Sequence, residues 1–326
     1  MIRNMIKIII VTVLGILVLA GCGKTDSAQK KIEIGISQIV EYSALDENRE
    51  GFLKALEDNG YKNGDNIEIE YQNAQGDLAT AQTIAKNFVS KDKELIFAIA
   101  TGSVQGSYNA TKDIPILFSS VTDPVAAGVV ESLEMPNTNV SGTSDYIPVE
   151  KQMDLIKKFV PNATNIGVIY NTSEVNSQVQ VSKLKESADE YGYKIVEVGV
   201  TSTNEVNQAI SSLTKDIDVL FVPTDQLVVS SMPVIVQQTM KKNIPIIASE
   251  KGSVELGALV TQGINYYDLG YKTGEMAVKV LNGEDISKMP VTMMDEMEII
   301  VNEDSLKALG IDKPQDENII YINTKE

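Results

Sequence analysis

Short polar segments, each following an apolar run, carry the residues of this sequence that could do chemistry. In LIFAIATGSVQGSYNATKDIPILFSSVTDP, residues 95–124, Thr101, Ser103, Ser120 and Thr122 offer hydroxyls, with Gly102 and Asp123 beside them. The same grammar returns in VLFVPTDQ (219–226) and IPIIASEKGSV (244–254), which supply Asp225 and Glu250. A further polar turn after Tyr170 holds Asn171, Ser173, Glu174, Asn176 and Ser177. The amides of residues 102–104 fall at an expected helix N-terminus, which binds an anion without a cationic side chain. Asp225 and Glu250 are placed to receive a cation such as an ammonium through charge-assisted hydrogen bonds. Structural roles compete: caps and turns for the hydroxyls, an N-cap for Asp225, and a solvated loop charge for Glu250. Taken as a set, these segments read as two facing walls that close on a small molecule carrying both charges.

Enzyme chemistry finds little support. The chain has no histidine and one cysteine, Cys22, which excludes Ser-His-Asp and Cys-His arrangements and disfavours zinc. There is no P-loop, and no Gly-x-Gly-x-x-Gly follows the first strand. No catalytic residue, metal or cofactor is therefore expected. Trp is absent and Arg49 is the one arginine beyond Arg3, so an Arg fork for phosphates or dicarboxylates has little to build from. Tyr42, Tyr146, Tyr170, Tyr266 and Tyr267 fall near loop or hinge positions. A ring stacked on an aromatic ligand gains roughly 0.5–1.5 kcal/mol beyond area burial.

The elements that must position these residues follow from periodicity. Apolar alternation at Ile32, Ile34 and Ile36 starts a strand, and residues 45–59 form a helix stopped by Gly60. Residues 67–71 and 95–100 read as strands, Asp77 caps a helix, and Asp123-Pro124 opens another with a cap and a proline at its first position. After the turn-rich crossing segment 139–148, a second βα array follows. Its helices are 149–159, 174–191, 204–213 and 230–242, and its strands are 165–170, 194–198, 218–222 and 244–248. Segment 259–265 crosses back, 268–281 is a helix, 293–301 returns, and 305–309 is a short helix. The architecture expected is α/β, with two doubly wound parallel-sheet lobes joined by a three-segment hinge. Residues 32–146 with 263–290 form one lobe, and residues 147–262 with 291–326 the other.

The N-terminus is a separate device. Arg3 and Lys7 precede an apolar run to Ala20, the pattern of a signal h-region. It ends in Leu19-Ala20-Gly21-Cys22, which resembles the lipobox of bacterial lipoproteins, with cleavage after residue 21 and lipid on Cys22. Residues 22–31 then form a polar tether. Removing 1–21 leaves 26 basic against 45 acidic residues, a balance of −19, which repels nucleic acid and anionic headgroups. The lipid, not a basic patch, is the expected anchor.

Several runs resemble a family of ABC-importer substrate-binding lipoproteins that includes tryptophan- and tyrosine-binding receptors, with the type I periplasmic-binding-protein fold. They are Ala44-Leu45-Asp46 with Gly51-Phe52, Asn73-Ala74-Gln75-Gly76-Asp77, Ala100-Thr101-Gly102, Val121-Thr122-Asp123-Pro124, Asn171 to Glu174 with Asn176-Ser177, Pro223-Thr224-Asp225 and residues 263–277. After Gln38, where members often show His-Pro, this chain has Tyr42-Ser43, so Gln38 and Tyr42 are expected in the first ligand-facing loop. The resemblance implies a monomeric receptor that binds an amino acid, most readily an aromatic one, and delivers it to an ABC permease and its ATPase. It places that receptor on the outer face of the bacterial cytoplasmic membrane, anchored through Cys22, with no nucleic-acid partner. A nucleoside or sugar receptor, or a surface sensor or adhesin, remains open on the same fold.

Overall fold

In this computed structural model, residues 30–315 and 317–325 are described. The expected signal segment 1–21, the lipidation site Cys22 and most of the tether lie outside them.

The chain runs β1 (Ile32–Gln38), α1 (Ser43–Asp58), β2 (Ile67–Asn73), α2 (Leu78–Ser90), β3 (Leu95–Ile99), α3 (Thr101–Ala110), β4 (Ile116–Ser119) and β5 (Val140–Ser144). It continues with α4 (Val149–Phe159), β6 (Asn165–Asn171), α5 (Val175–Tyr191), β7 (Lys194–Val200), α6 (Thr203–Leu213), β8 (Val219–Val222), α7 (Gln226–Ser230) and α8 (Met232–Met240). Then come β9 (Ile246–Ala248), α9 (Lys251–Glu255), β10 (Val260–Gly263), α10 (Tyr266–Leu281), β11 (Thr292–Met293), β12 (Glu298–Asn302), α11 (Glu303–Ala308) and β13 (Ile319–Ile322). Local chemistry sets many boundaries. Asp77 caps α2 by accepting from the Thr80 amide at 2.6 Å, and Asn265 caps α10 through the Asp268 amide at 3.2 Å. Gly192 ends α5 in the left-handed region at φ 73°.

Two sheets result, each the body of a lobe. The first has the order β2-β1-β3-β4-β5-β11, with every pairing parallel. The second has the order β7-β6-β8-β9-β10-β12-β13, parallel except where β10 meets β12. Both lobes thus repeat one doubly wound order, with the strand direction of growth reversing between β1 and β3 and between β6 and β8. Helices cover both faces, so β3 and β4 are buried at every position and read as continuous apolar runs.

Three expectations need correction. Asp123-Pro124 opens only a turn, in which Asp123 accepts from the Ala126 amide at 2.9 Å and Gly128 at φ 73° ends the helical path. The helix expected over 230–242 is α8, and a short unexpected helix, α7, precedes it over 226–230; Ser231 closes α7 onto Val228 and Pro233 begins anew. Thr292 and Met293, expected in the second lobe, pair with Thr143 and Ser144 of the first sheet. A two-residue edge strand carries too little pattern to be read ahead of its partner.

The first lobe is held by the pairing of α1 with α10. A Cβ at Gly270 would overlap the carbonyl oxygen of Asn48, and one at Gly51 that of Tyr267, so the two backbones touch only because both positions lack a side chain. Beneath them Phe52 stacks on Phe97 of β3, with centroids 3.8 Å apart and planes within 9°. Gly270→Ala should therefore destabilise the protein by about 3 kcal/mol or more, since no rotamer relieves a clash with backbone. Urea unfolding checks this, and a midpoint within error of wild type would refute it.

Candidate functional site

Open α/β sheets bind ligands beyond the carboxyl ends of their strands, at the point where strand order reverses. Here that rule selects the segments after β1, β3, β6 and β8. They hold Gln38 to Tyr42, Ala100 to Ser103, Asn171 to Glu174, and Pro223 to Asp225. A groove of about 760 Å³, lined by Asn165, Lys194, Lys215, Asp216 and Asp218, opens at the amino ends of β6, β7 and β8 instead. It is a wide surface hollow away from the convergent loops, and the strand-end rule disfavours it as the ligand site.

On the first lobe, Thr101, Gly102 and Ser103 form the buried first turn of α3. Ala100 and Ser120, which follow β3 and β4, both sit in the left-handed region at φ 74° and 60°. Such conformations cost on the order of 1 kcal/mol or more without glycine and collect at ligand-facing turns. Ser120 accepts from Asn48 Nδ2 at 3.2 Å, and Thr122 Oγ1 donates to Asp145 Oδ1 at 2.9 Å. Gln38 is buried and engaged: its Nε2 donates to Asp46 Oδ1 and to the Val40 carbonyl at 2.9 Å, while Oε1 accepts from Arg49 at 3.2 Å. It braces the loop from behind. Asp123 is half-buried and caps its own turn.

On the second lobe the polar turn and its acids are brought together. Glu174 accepts from Asn171 Nδ2 at 3.0 Å, Asn176 Nδ2 at 3.3 Å and the Gln226 and Leu227 amides at 3.1 and 3.4 Å. Asp225, fully buried, accepts from the Asn171 amide at 2.6 Å, Ser177 Oγ at 2.7 Å and the Val228 amide at 2.9 Å. Glu250 caps α9, accepting from the Gly252 amide at 2.5 Å, the Ser253 amide at 2.6 Å and the Ser253 hydroxyl. Asp225 and Glu250 are thus helix caps whose oxygens are already committed to protein donors. Ser173 is exposed.

Three groups the motif reading left out or left undecided matter here. Asp145, at the first crossing between lobes, is buried and accepts from Thr122 and from Tyr266 Oη, the latter at 3.1 Å. Tyr266 opens α10 just beyond the second crossing and is itself buried. Tyr42 packs against the first lobe's core, one face of the second lobe's core, and the small cluster of Ala44, Ile264, Tyr266 and Leu269 between them. Its phenol is pushed well above its ordinary range by burial, then by the charges of Glu250, Asp145, Glu174 and Asp225. Three of those acids come from the second lobe and one from the crossing, so they converge on a side chain that the first lobe supplies. Tyr146 lies under Lys183, 4.2 Å from the ring centroid, Tyr170 joins the second lobe's core, and Tyr267 lies at the α1–α10 seam. Nothing in the turn-rich stretch 139–148 marked Asp145, because its burial depends on three segments meeting.

The lobes touch across the cleft. Ser43 Oγ at the start of α1 donates to Glu255 Oε2 of α9 at 3.1 Å, and Lys251 pairs with Glu47 at 3.3 Å and Glu255 at 3.6 Å. Lys325 also reaches Glu255, at 2.7 Å.

Fold and cleft define a two-lobed α/β architecture whose candidate site lies between strand ends. The chain matches the family model described as ABC transporter substrate binding protein over residues 33–324, and it belongs to that family. It is 54% identical over 336 residues to a curated "Tyrosine-binding protein" of Clostridioides difficile (strain R20291), covering 99% of this chain and 97% of that one. The ligand-free, open structure of a substrate-binding protein with adhesive properties from Clostridium difficile shares 61% identity, covers 90% of this chain and 99% of its own, and superposes with a TM-score of 0.71. A Streptococcus pneumonia ABC domain in complex with L-Trp, at 34% identity over 89% of this chain and all of its own, superposes at 0.86. Global superposition is sensitive to the angle between lobes, so the better fit to the more distant sequence matches the contacts seen across this cleft. Proteins of this family are binding receptors rather than enzymes, and those of ABC importers are extracytoplasmic. Among the described residues no helix is long and apolar enough to cross a membrane.

Burial, and then the neighbouring Asp225 charge, push Glu174 up to about 7 against its hydrogen bonds, and burial raises Asp225 as well. An unfolded glutamate titrates near about 4.3. Between these values the folded state holds a proton that the unfolded state has released. The contribution of Glu174 is therefore present below about pH 4.3 and lost as pH rises through its folded value. The thermal midpoint of the ligand-free protein, taken relative to Glu174→Gln, should fall between about pH 5 and about pH 8. Parallel midpoints over that range would contradict the assignment.

Proposed function

We propose that this protein is the receptor of an ABC importer for an aromatic amino acid, tyrosine or tryptophan first, which it encloses between its lobes and delivers to a permease. The observation that carries the reading is the packing of Tyr42, from the first lobe, against the second lobe's core, where acids of that lobe and of the crossing converge on it with Tyr266 alongside. An aromatic amino acid offers a ring for these phenols and an ammonium for the acids. The first turn of α3, buried and aimed from the end of β3, offers amides and hydroxyls to its carboxylate. Support also comes from the relatives, one called a tyrosine-binding protein and one solved with L-Trp. The protein works as a monomer tethered to the outer face of the membrane through lipid on Cys22, which places the cleft within reach of a permease. Because one relative is described as having adhesive properties, a second role as a surface adhesin stands beside import.

A thermal-shift screen against the twenty amino acids, nucleosides and simple sugars tests the substrate class. A ligand present at about 100 times its dissociation constant should add about 2.7 kcal/mol, a rise of a few degrees, and only tyrosine, tryptophan or phenylalanine should produce it. Shifts confined to nucleosides or sugars would overturn the amino-acid reading while leaving the family intact.

A further inference from the structure

An amino-acid ligand needs an acid for its ammonium, and the buried acids of the cleft are not equally free to serve. A carboxylate has about four acceptor positions. Glu174 receives two side-chain amides and two backbone amides. Asp225 is bound by the Asn171 amide at the end of β6, a helix amide and a hydroxyl, and Glu250 by two helix amides and a hydroxyl. Helix N-termini already compensate these charges.

Asp145 differs. It caps no helix. Its side-chain partners are two neutral hydroxyls, one per oxygen, from Thr122 and Tyr266. Among the described residues it pairs with no lysine or arginine, as is also true of Glu174, Asp225 and Glu250, and burial raises its pKa. It is 2% exposed and faces Tyr42. A buried carboxylate without a counter-ion is costly, and a charge partner brought by a ligand removes that cost.

We propose that Asp145 is the residue that binds the ligand's ammonium, with Thr122 and Tyr266 holding its two oxygens towards the cleft. This rests on the amino-acid reading above and adds the residue that enforces it. The position also links binding to closure. Thr122 belongs to the first lobe, Asp145 begins one crossing, and Tyr266 follows another, so an ammonium on Asp145 adds attraction where the hinge segments meet.

Calorimetry with tyrosine and with 3-(4-hydroxyphenyl)propionate, the same molecule without its ammonium, separates this role from a structural one. Wild type should prefer tyrosine by about 100-fold or more, the scale of a buried charge losing its partner. In Asp145→Asn that preference should shrink to a few-fold. If Asp145→Asn fails to fold, Asp145→Glu moves the charge by one methylene and should weaken tyrosine by about tenfold, one mispositioned charge-assisted hydrogen bond. An unchanged affinity there would overturn the assignment. A preference retained in Asp145→Asn, or lost instead in Asp225→Asn or Glu250→Gln, would also overturn it while leaving the receptor reading in place. Wild type that binds no amino acid would remove the amino-acid reading, and this assignment with it.

Discussion

Burying carboxylates where two lobes meet is the constraint on which this structure turns. Asp145, Glu174, Asp225 and Glu250 are all removed from water, and each would be costly without donors. The doubly wound fold meets most of that cost by its own geometry. Parallel strands end where helices begin, so backbone amides of α7 and α9 lie beside Asp225 and Glu250, and the Gln226 and Leu227 amides also reach Glu174. What remains is a cleft of negative character whose acids are held in place before any ligand arrives. Such preorganisation lowers the ordering cost of binding.

Closure follows from the same arrangement. Tyr42 extends from the first lobe into contact with the second lobe's core, and its hydroxyl shares one neighbourhood with acids of that lobe and of the crossing. Around it, Ser43, Glu47, Lys251 and Glu255 form a polar rim of modest strength, because these pairs are partly exposed. A rim of that kind guides the lobes together without locking them. The differential affinity that a receptor needs between its open and closed forms can then come from the ligand itself.

The order of strands explains why the ligand site is made from so few segments. Both sheets repeat the same doubly wound order, so each has one reversal point, and the two points face each other across the hinge. The strained residues Ala100 and Ser120 follow β3 and β4 on this side of the first sheet. Near the opposite ends, buried Lys93 is held by ion pairs with the partly exposed Glu33 and Glu70.

Much of this was legible in the residues alone. Alternating and continuous apolar runs fixed β1, β3 and β6, and Asp77 and Gly192 marked helix ends, because local sterics and capping act within a few residues. The polar segments after β3, β6 and β8 announced a cleft for the same reason: apolar strand, then hydroxyls or acids, is a local pattern. Tertiary structure alone decided how those side chains are used. Asp225 reads as a cation acceptor or an N-cap and Glu250 as a cation acceptor or a loop charge, yet each turns back onto amides of the helix it opens. Asp145 has no motif around it and becomes buried only when β5, the turn after β4 and the start of α10 meet, contacts separated by up to 121 residues. Burial and hydrogen-bond saturation depend on neighbours distant in the chain. A single sequence therefore names the candidate acids but cannot rank them.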